Sequence, residues 1–230
     1  MKKNNLKILS VGGSIVIPES GFNISFLKKF SDLIINEIKK GTRFILVIGG
    51  GHTARNYQKN ILKLKKINNN DLDLLGIEAT TLNAFFVKLL FQDLVYSEVI
   101  NDPTKKIKTN KKIIIASGWK PGCSTDMDAV LFAKTYGANE VLNLSNIEYV
   151  FDKDPKKYKT AKKIEKINWA DFRKNIVGDK WVSGKNLPFD PIASKEAEKL
   201  NLKVKILAGK NLKEVKKALS SDNFKGTLIY

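Results

Sequence analysis

The chain has 230 residues, 43% of them hydrophobic, which supplies a real core and excludes disorder as the default. One cysteine, Cys123, excludes an internal disulfide, and one histidine, His52, leaves no Cys/His set for zinc and no Ser-His-Asp triad. Lysine and arginine outnumber aspartate and glutamate by 41 to 23, and the resulting formal charge of +18 raises nucleic acid as a partner, although the lysines are scattered among abundant asparagine and isoleucine.

In chain order, Met1 to Asn5 leads into an apolar run at 6–11 that contains Lys7 and Ser10 and stops at Gly12-Gly13-Ser14. This pattern predicts a first strand and not a signal peptide. A stripe of Phe26, Leu27, Phe30, Leu33, Ile34 and Ile38 predicts a helix over 24–39, stopped by Gly41. The next strand, at 44–48, ends in Gly49-Gly50-Gly51 and runs into a helix carrying His52, Thr53 and Arg55. A buried strand that ends in glycines lets backbone N–H groups approach an anion, the helix N-terminus adds its field, and Arg55 adds a charge-assisted contact. Either glycine turn alone is also a plain turn. Together, on separate parallel strands, they suit the two ends of one phosphate chain. Neither has Walker A spacing.

A longer apolar helix is expected over 74–92, with Ala79, Ala84 and Leu89 buried. Further strands are expected at 113–116, 140–144 and 204–207. The segment Gly118-Trp119-Lys120-Pro121-Gly122-Cys123-Ser124-Thr125-Asp126 follows the first of these and leads into a helix near Thr125, capped by Ser124 or Thr125. It reads either as a capped βα loop or as a substrate wall. Cys123 has no nearby general base in the sequence and is expected to be inert. The lysine cluster Lys153, Lys156, Lys157, Lys159, Lys162 and Lys163 lacks the pattern of an RNA-binding sheet and falls in a loop or hairpin over 152–163. That segment and 174–190, with its glycine and proline breakers, are expected to lie over the site. Strands without alternation, joined by helices, predict an α/β protein with a mainly parallel sheet covered on both faces. Ligands then collect at the strands' carboxyl ends, where Gly12, Gly49 and Gly118 all fall. No linker or repeat divides the chain, so one domain over 1–230 is expected. No run reaches the roughly 18 apolar residues of a membrane span.

The ordered set Val11-Gly12-Gly13-Ser14, Ile48 to Arg55, Asp73-Leu74-Leu75-Gly76-Ile77 with Leu82-Asn83-Ala84, Gly118 to Asp126, Asp152-Lys153-Asp154-Pro155 and Asp190-Pro191-Ile192-Ala193 resembles the amino acid kinase superfamily, and within it the archaeal-type UMP kinases. The resemblance implies a three-layer αβα sandwich with about eight strands, a hexamer, a cytoplasmic location, and Mg2+-assisted transfer of the γ-phosphate of ATP to UMP. It implies an acceptor side over 45–126 and an ATP side over 140–210. By position, Gly12, Gly13, Ser14, Gly51, Arg55, Ser145, Asn146, Phe151 and Asp154 would meet ATP. Gly50, Asp73 and Trp119 through Thr125 (Trp119, Lys120, Pro121, Gly122, Cys123, Ser124, Thr125) would meet UMP, with Arg55 and Asp190 in catalytic roles. No protein metal ligand is assigned. Asp73 and Asp190 also read simply as helix-start residues.

The chain departs from the pattern at three places. Many relatives in the superfamily have lysine where this chain has Ser10, which leaves Arg55, Lys7, Lys120, Lys185 and Lys195 as candidates for the missing cation. Tyr149 replaces a glycine in the nucleotide loop, so that turn must be reshaped. Trp119 replaces a smaller residue, which would shrink or restack the uridine pocket. A noncatalytic nucleotide- or oxyanion-binding protein resembling molybdenum storage subunits, and a kinase for another small acceptor, are the alternative readings.

Overall fold

The computed structural model describes residues 5–179 and 187–230. In chain order these form β1 (Leu6–Val11), α1 (Gly13–Val16), α2 (Ile24–Lys39), β2 (Arg43–Ile48), α3 (Gly51–Leu64), α4 (Asn69–Lys88), β3 (Val95–Ile100), β4 (Ile113–Ala116), α5 (Thr125–Tyr136), β5 (Glu140–Ser145), β6 (Val150–Phe151), β7 (Lys163–Ile164), β8 (Lys166–Ile167), α6 (Trp169–Phe172), α7 (Pro191–Lys199), β9 (Lys203–Ala208), α8 (Leu212–Ser220) and β10 (Thr227–Ile229). Eight strands make one sheet in the order β3-β4-β2-β1-β5-β9-β10-β8, and β6 and β7 form a separate antiparallel pair. The strands from β3 to β9 run parallel, and β10 is antiparallel to β9.

Side chains along each central strand alternate between two apolar cores. Leu9, Val11, Leu46 and Ile48 pack against Phe26, Phe30 and Ile34 of α2, Ala84 and Val87 of α4, and Val215 of α8. Ile8, Ile45 and Val47 face Ala129 and Phe132 of α5, Phe172 of α6 and Ala193 of α7. The result is the expected three-layer αβα sandwich, and burial of each such aliphatic side chain stabilises the fold by about 1.5–3 kcal/mol. Ser10 interrupts the apolar run of β1 on the α5 face, and its hydroxyl is bonded there to Asp126.

Some boundaries differ from the sequence reading. The helix α4 starts at Asn69, because the Asn68 side chain caps it by accepting from the Asp71 N–H at 2.9 Å. It ends at Lys88, and Leu89 is exposed, on the same outward face as Leu82 and Phe85, while Ala79 and Ala84 are buried as expected. The edge strand β3 has an exposed middle (Ser97, Glu98), and β8 and β10 are only two and three residues long, so none gives an apolar run in the sequence. The expected hairpin over 152–163 is present, closed by the pairing of Phe151 with Lys163. Much of 174–190 lies outside the described residues, but Leu187 and Pro188 do border the cleft.

Candidate active site

Two glycine turns meet backbone to backbone at the carboxyl ends of β1 and β2. A β-carbon on Gly13 would stand 2.2 Å from the Gly51 nitrogen and 2.3 Å from the Gly49 oxygen, so only glycine permits this approach. Gly51 also adopts a left-handed φ of +60°. The Gly49 N–H donates to the Val11 carbonyl at 3.0 Å, and the Gly12 N–H donates to the Leu144 carbonyl at 2.9 Å, which ties three strand ends together. The buried Asn83 of α4 donates its side-chain amide to the carbonyls of Gly49 and Gly50 at 3.0 and 2.9 Å. These bonds fix the turn at the edge of the cleft that Gly49, Gly50 and Gly51 line.

The cleft has two chambers. The first is bounded by α3, α4 and the 118–125 segment, with Gln58, Asp73, Gly76, Ile77, Thr80, Cys123 and Thr125 on its walls. The second is bounded by β1, β5 and the segment before α7, with Ser10, Gly12, Gly13, Ser14, Asp126, Asn143, Ser145 and Asn146 on its walls. Gly50, Gly51, Arg55 and Thr125 line both. Arg55 is the only cationic side chain on either wall among the described residues.

Of the residues expected on the ATP side, Gly12, Gly13, Ser14, Gly51, Arg55, Ser145 and Asn146 come together in the second chamber. Phe151 and Asp154 do not line it: Phe151 belongs to the β6–β7 pair, and the exposed Asp154 accepts from the Lys156 N–H at 2.9 Å within the hairpin loop. Tyr149 has no positive φ, so the loop is reshaped as its β-carbon requires, and the Lys163 ammonium lies over its ring. On the acceptor side, Gly50, Asp73, Cys123 and Thr125 line the first chamber. Trp119, Lys120, Pro121, Gly122 and Ser124 do not. Instead, the Lys120 ammonium sits 3.9 Å from the centre of the Trp119 ring, and Ser124 caps α5 by accepting from the Met127 N–H at 3.2 Å. Gly122, with φ +74°, donates its N–H to Asp73 at 2.9 Å.

Asp73 therefore does not start a helix: it lies in the second turn of α4 and reaches across the chamber mouth. Asp190 does have the helix-start role, because its carboxylate accepts from the N–H groups of Ile192 and Ala193 and Pro191 follows it. It is not on either chamber wall. Among the lysines considered for the missing cation, Lys7 pairs with Glu140 at the opposite end of the sheet, Lys195 is exposed on α7, and Lys185 lies outside the described residues.

Sequence reasoning gave no role to Asp126, Asn143, Thr80, Asn83 or Gln58. The Asp126 carboxylate accepts from the Ser10 hydroxyl at 3.0 Å and from the Asn143 amide at 2.8 Å. Burial outweighs these bonds and, with the nearby Asp190 charge, pushes its pKa up to about 7. Burial, reinforced by the Asp128 carboxyl, pushes the Cys123 thiol up to about 12, so the thiol stays protonated and inert as expected. Thr80 fixes the wall by accepting from the Gly118 N–H at 2.8 Å, and Gln58 ties α3 to α4 through the Leu72 carbonyl at 2.8 Å.

A two-chambered polar cleft at the carboxyl ends of a parallel sheet, edged by two glycine turns and bridged by one arginine, defines a phosphate-handling α/β protein. The chain matches the amino acid kinase family over residues 5–208 and belongs to it. It is 33% identical over 211 residues to a uridylate kinase of Sulfurisphaera tokodaii, covering 90% of this chain and 92% of that one. A uridylate kinase of Methanocorpusculum labreanum is 28% identical over 225 residues, covering 96% and 94%. The crystal structure of a uridylate kinase from Archaeoglobus fulgidus superposes with a TM-score of 0.81 at 26% identity, covering 98% of this chain and 99% of that one.

Proposed function

We infer that the protein is a uridylate kinase, a nucleoside monophosphate kinase that transfers the γ-phosphate of ATP to UMP and releases ADP and UDP. The observation that carries this reading is the set of residues common to both chambers: Gly50, Gly51, Arg55 and Thr125 stand where a donor and an acceptor phosphate would meet. Phosphoryl transfer asks little covalent help of the protein, so positioning and charge stabilisation do most of the work. A phosphate oxygen of UMP attacks the γ-phosphorus, the bond from that phosphorus to the β,γ-bridging oxygen breaks, and ADP leaves. In this reading the second chamber takes ATP and the first takes UMP, with Asp73 placed to accept from a ribose hydroxyl. Arg55 neutralises charge on the transferring group from between the two chambers. Asp190 acts indirectly, through the chain that it holds beside Asp126.

Among the described residues no cluster of three or more His, Cys, Asp or Glu side chains stands ready to hold a metal. Mg2+ usually keeps several waters and is held largely by substrate phosphates, and Asp126, the carboxyl on the ATP-side wall, is taken up by Ser10 and Asn143 and is not assigned to the ion. In this reading the ion enters with ATP, held by its phosphates, and would neutralise the β- and γ-phosphate oxygens. The reading includes a cytoplasmic role in pyrimidine nucleotide synthesis and a hexameric assembly of a single-domain chain. The exposed apolar stripe of Leu82, Phe85 and Leu89 supports self-association. No helix among the described residues is long and apolar enough to cross a membrane. The test is ADP release by the purified protein with ATP, Mg2+ and each of UMP, CMP and small carboxylic acids. UMP is expected to be the preferred acceptor, and turnover of another acceptor with none of UMP would refute the assignment.

A further inference from the structure

The loop over 118–124 is held at three backbone N–H groups. Gly118 donates to Thr80 and Gly122 to Asp73, both on α4, and Trp119 donates to Oδ2 of Asp128 on α5 at 3.2 Å. Asp128 is the one of these three acceptors that α5 carries. It is fully buried, and its other oxygen, Oδ1, is buried without a hydrogen-bond partner. The Cys123 side chain, which lines the acceptor chamber, is a neighbour of the same carboxyl.

We propose that Asp128 is a positioning residue for the acceptor chamber, holding the wall loop through the Trp119 N–H and its contact with Cys123 and thereby setting the affinity for the acceptor nucleotide. This inference rests on the uridylate kinase reading above. A buried carboxyl with one bare oxygen is tolerable when neutral and costly when ionised. The charged and titratable groups around it are Asp126 on its own helix, Asp190 ahead of α7, and Cys123 and Lys120 on the loop, with the Lys120 ammonium turned onto the Trp119 ring. Burial first, and then the charges of Asp126 and Asp190, push the Asp128 carboxyl up to about 7 against the Cys123 side chain and the Trp119 N–H, which lower it. A raised carboxyl pKa means that the neutral form, which fits the closed wall, prevails below that value and is lost as pH rises through it. Once ionised, the carboxylate gains solvation only by drawing water in past the loop, which displaces the wall.

The experiment measures KM for UMP and for ATP from pH 6 to 8.5 in the wild type, Asp128→Asn and Asp128→Ala. Asparagine keeps an acceptor for the Trp119 N–H but cannot ionise, and dividing by its values cancels the titration of the UMP phosphate itself. The wild-type to Asn ratio of KM for UMP is expected to rise about tenfold across this range, the equivalent of one lost hydrogen bond, with the ratio for ATP unchanged within about twofold. The Asp128→Ala variant is expected to show KM for UMP raised about tenfold at both ends of the range and kcat within about threefold. A flat wild-type to Asn ratio, or an alanine variant that shifts the UMP and ATP constants equally, overturns the proposal. If the alanine variant fails to fold, the wild-type to Asn ratio decides alone. Absence of UMP turnover in the wild type overturns this proposal together with the kinase reading, whereas turnover with a flat ratio overturns this proposal only.

Discussion

Replacing Gly13 by alanine tests whether the two glycine turns must touch for the reaction to proceed. The added carbon would sit 2.2, 2.3 and 2.6 Å from the nitrogen of Gly51 and the oxygen and carbon of Gly49, all backbone atoms that cannot swing aside. Ordinary contact requires roughly 3.5 Å, so the turns would have to separate by about 1 Å. Forcing extra volume into a packed site costs about 1–3 kcal/mol of stability. A displacement of that size between donor and acceptor phosphates lowers turnover by on the order of a hundredfold. The comparison variant is Gly21→Ala. Gly21 has φ +94° and no atom within 4 Å of the added carbon, so alanine there brings a similar backbone penalty of about 1–2 kcal/mol but leaves the cleft alone. Urea denaturation and coupled ADP release would be run on both. Equal losses of stability, with activity lost only at Gly13, is the expected pattern. A folded Gly13→Ala protein with kcat within about threefold of wild type would refute the claim that the turns' close approach sets the reaction geometry.

Three further substitutions address other parts of the structure. Arg55→Ala should cut kcat by about 10² to 10⁴, the loss of two charge-assisted hydrogen bonds, while the exposed position keeps the stability change within about 0.5 kcal/mol; equal loss of fold and activity would make Arg55 structural. Asp73→Asn should raise KM for UMP about tenfold with little change for ATP, because a neutral amide is a weaker acceptor for a ribose hydroxyl; an unchanged UMP constant would remove Asp73 from that role. Lys205→Met probes the end of the sheet away from the cleft, where this buried ammonium pairs with Glu140 and Asp222 at 3.0 Å each and donates to the Ala218 and Ser221 carbonyls. Breaking a buried pair typically costs 3–5 kcal/mol, but Lys7 still pairs with Glu140 and Lys203 with Asp222, so urea denaturation should show a loss of about 2–4 kcal/mol with both KM values unchanged. A loss below about 1 kcal/mol would show that this network holds the fold together less than its burial implies.

The parts of the fold legible in the sequence were those whose physics is local. The stripe from Phe26 to Ile38 can only be one face of a helix, and an apolar β-branched run that stops at Gly49-Gly50-Gly51 can only be a buried strand entering a special turn. The strand β3 was not legible, because Ser97 and Glu98 face solvent at a sheet edge and dilute its apolar signal. The start of α4 was misjudged because Asn68 competes with Asp73 as a cap and wins through its bond to Asp71. In the site, the backbone-derived elements were readable, and so was Arg55, because each follows directly from a strand end. The side chains that organise them were not. Asp126 acquires its meaning from Ser10, 116 positions away in sequence, and Asn83 from Gly49, 34 positions away. Both fall within segments that carry the resemblance to the amino acid kinases, but only the folded chain shows what each holds.

The same distinction explains how one turn of α5 can serve both halves of the cleft. Ser124 fixes the start of the helix, and Thr125, the first residue in it, lines both chambers. Residues two apart on a helix do not face one another, so Asp126 and Asp128 project to different sides. Asp126 turns to Ser10 and Asn143 at the strand ends of the second chamber, and Asp128 turns to Trp119 and Cys123 beneath the wall of the first. Both are carboxyls raised to about 7 by burial, and the charge of Asp126 adds to the cost of ionising Asp128. Ser10 sharpens this. A lysine at that place would give Asp126 a cationic partner and hold it ionised, whereas a hydroxyl supplies only one neutral hydrogen bond. With no cation at position 10, positive charge on the chamber walls is concentrated, among the described residues, at Arg55, and the carboxyl pair of α5 is left to act through hydrogen bonds to the chain around it, which is the division of labour that the substitutions at Arg55 and Asp128 separate.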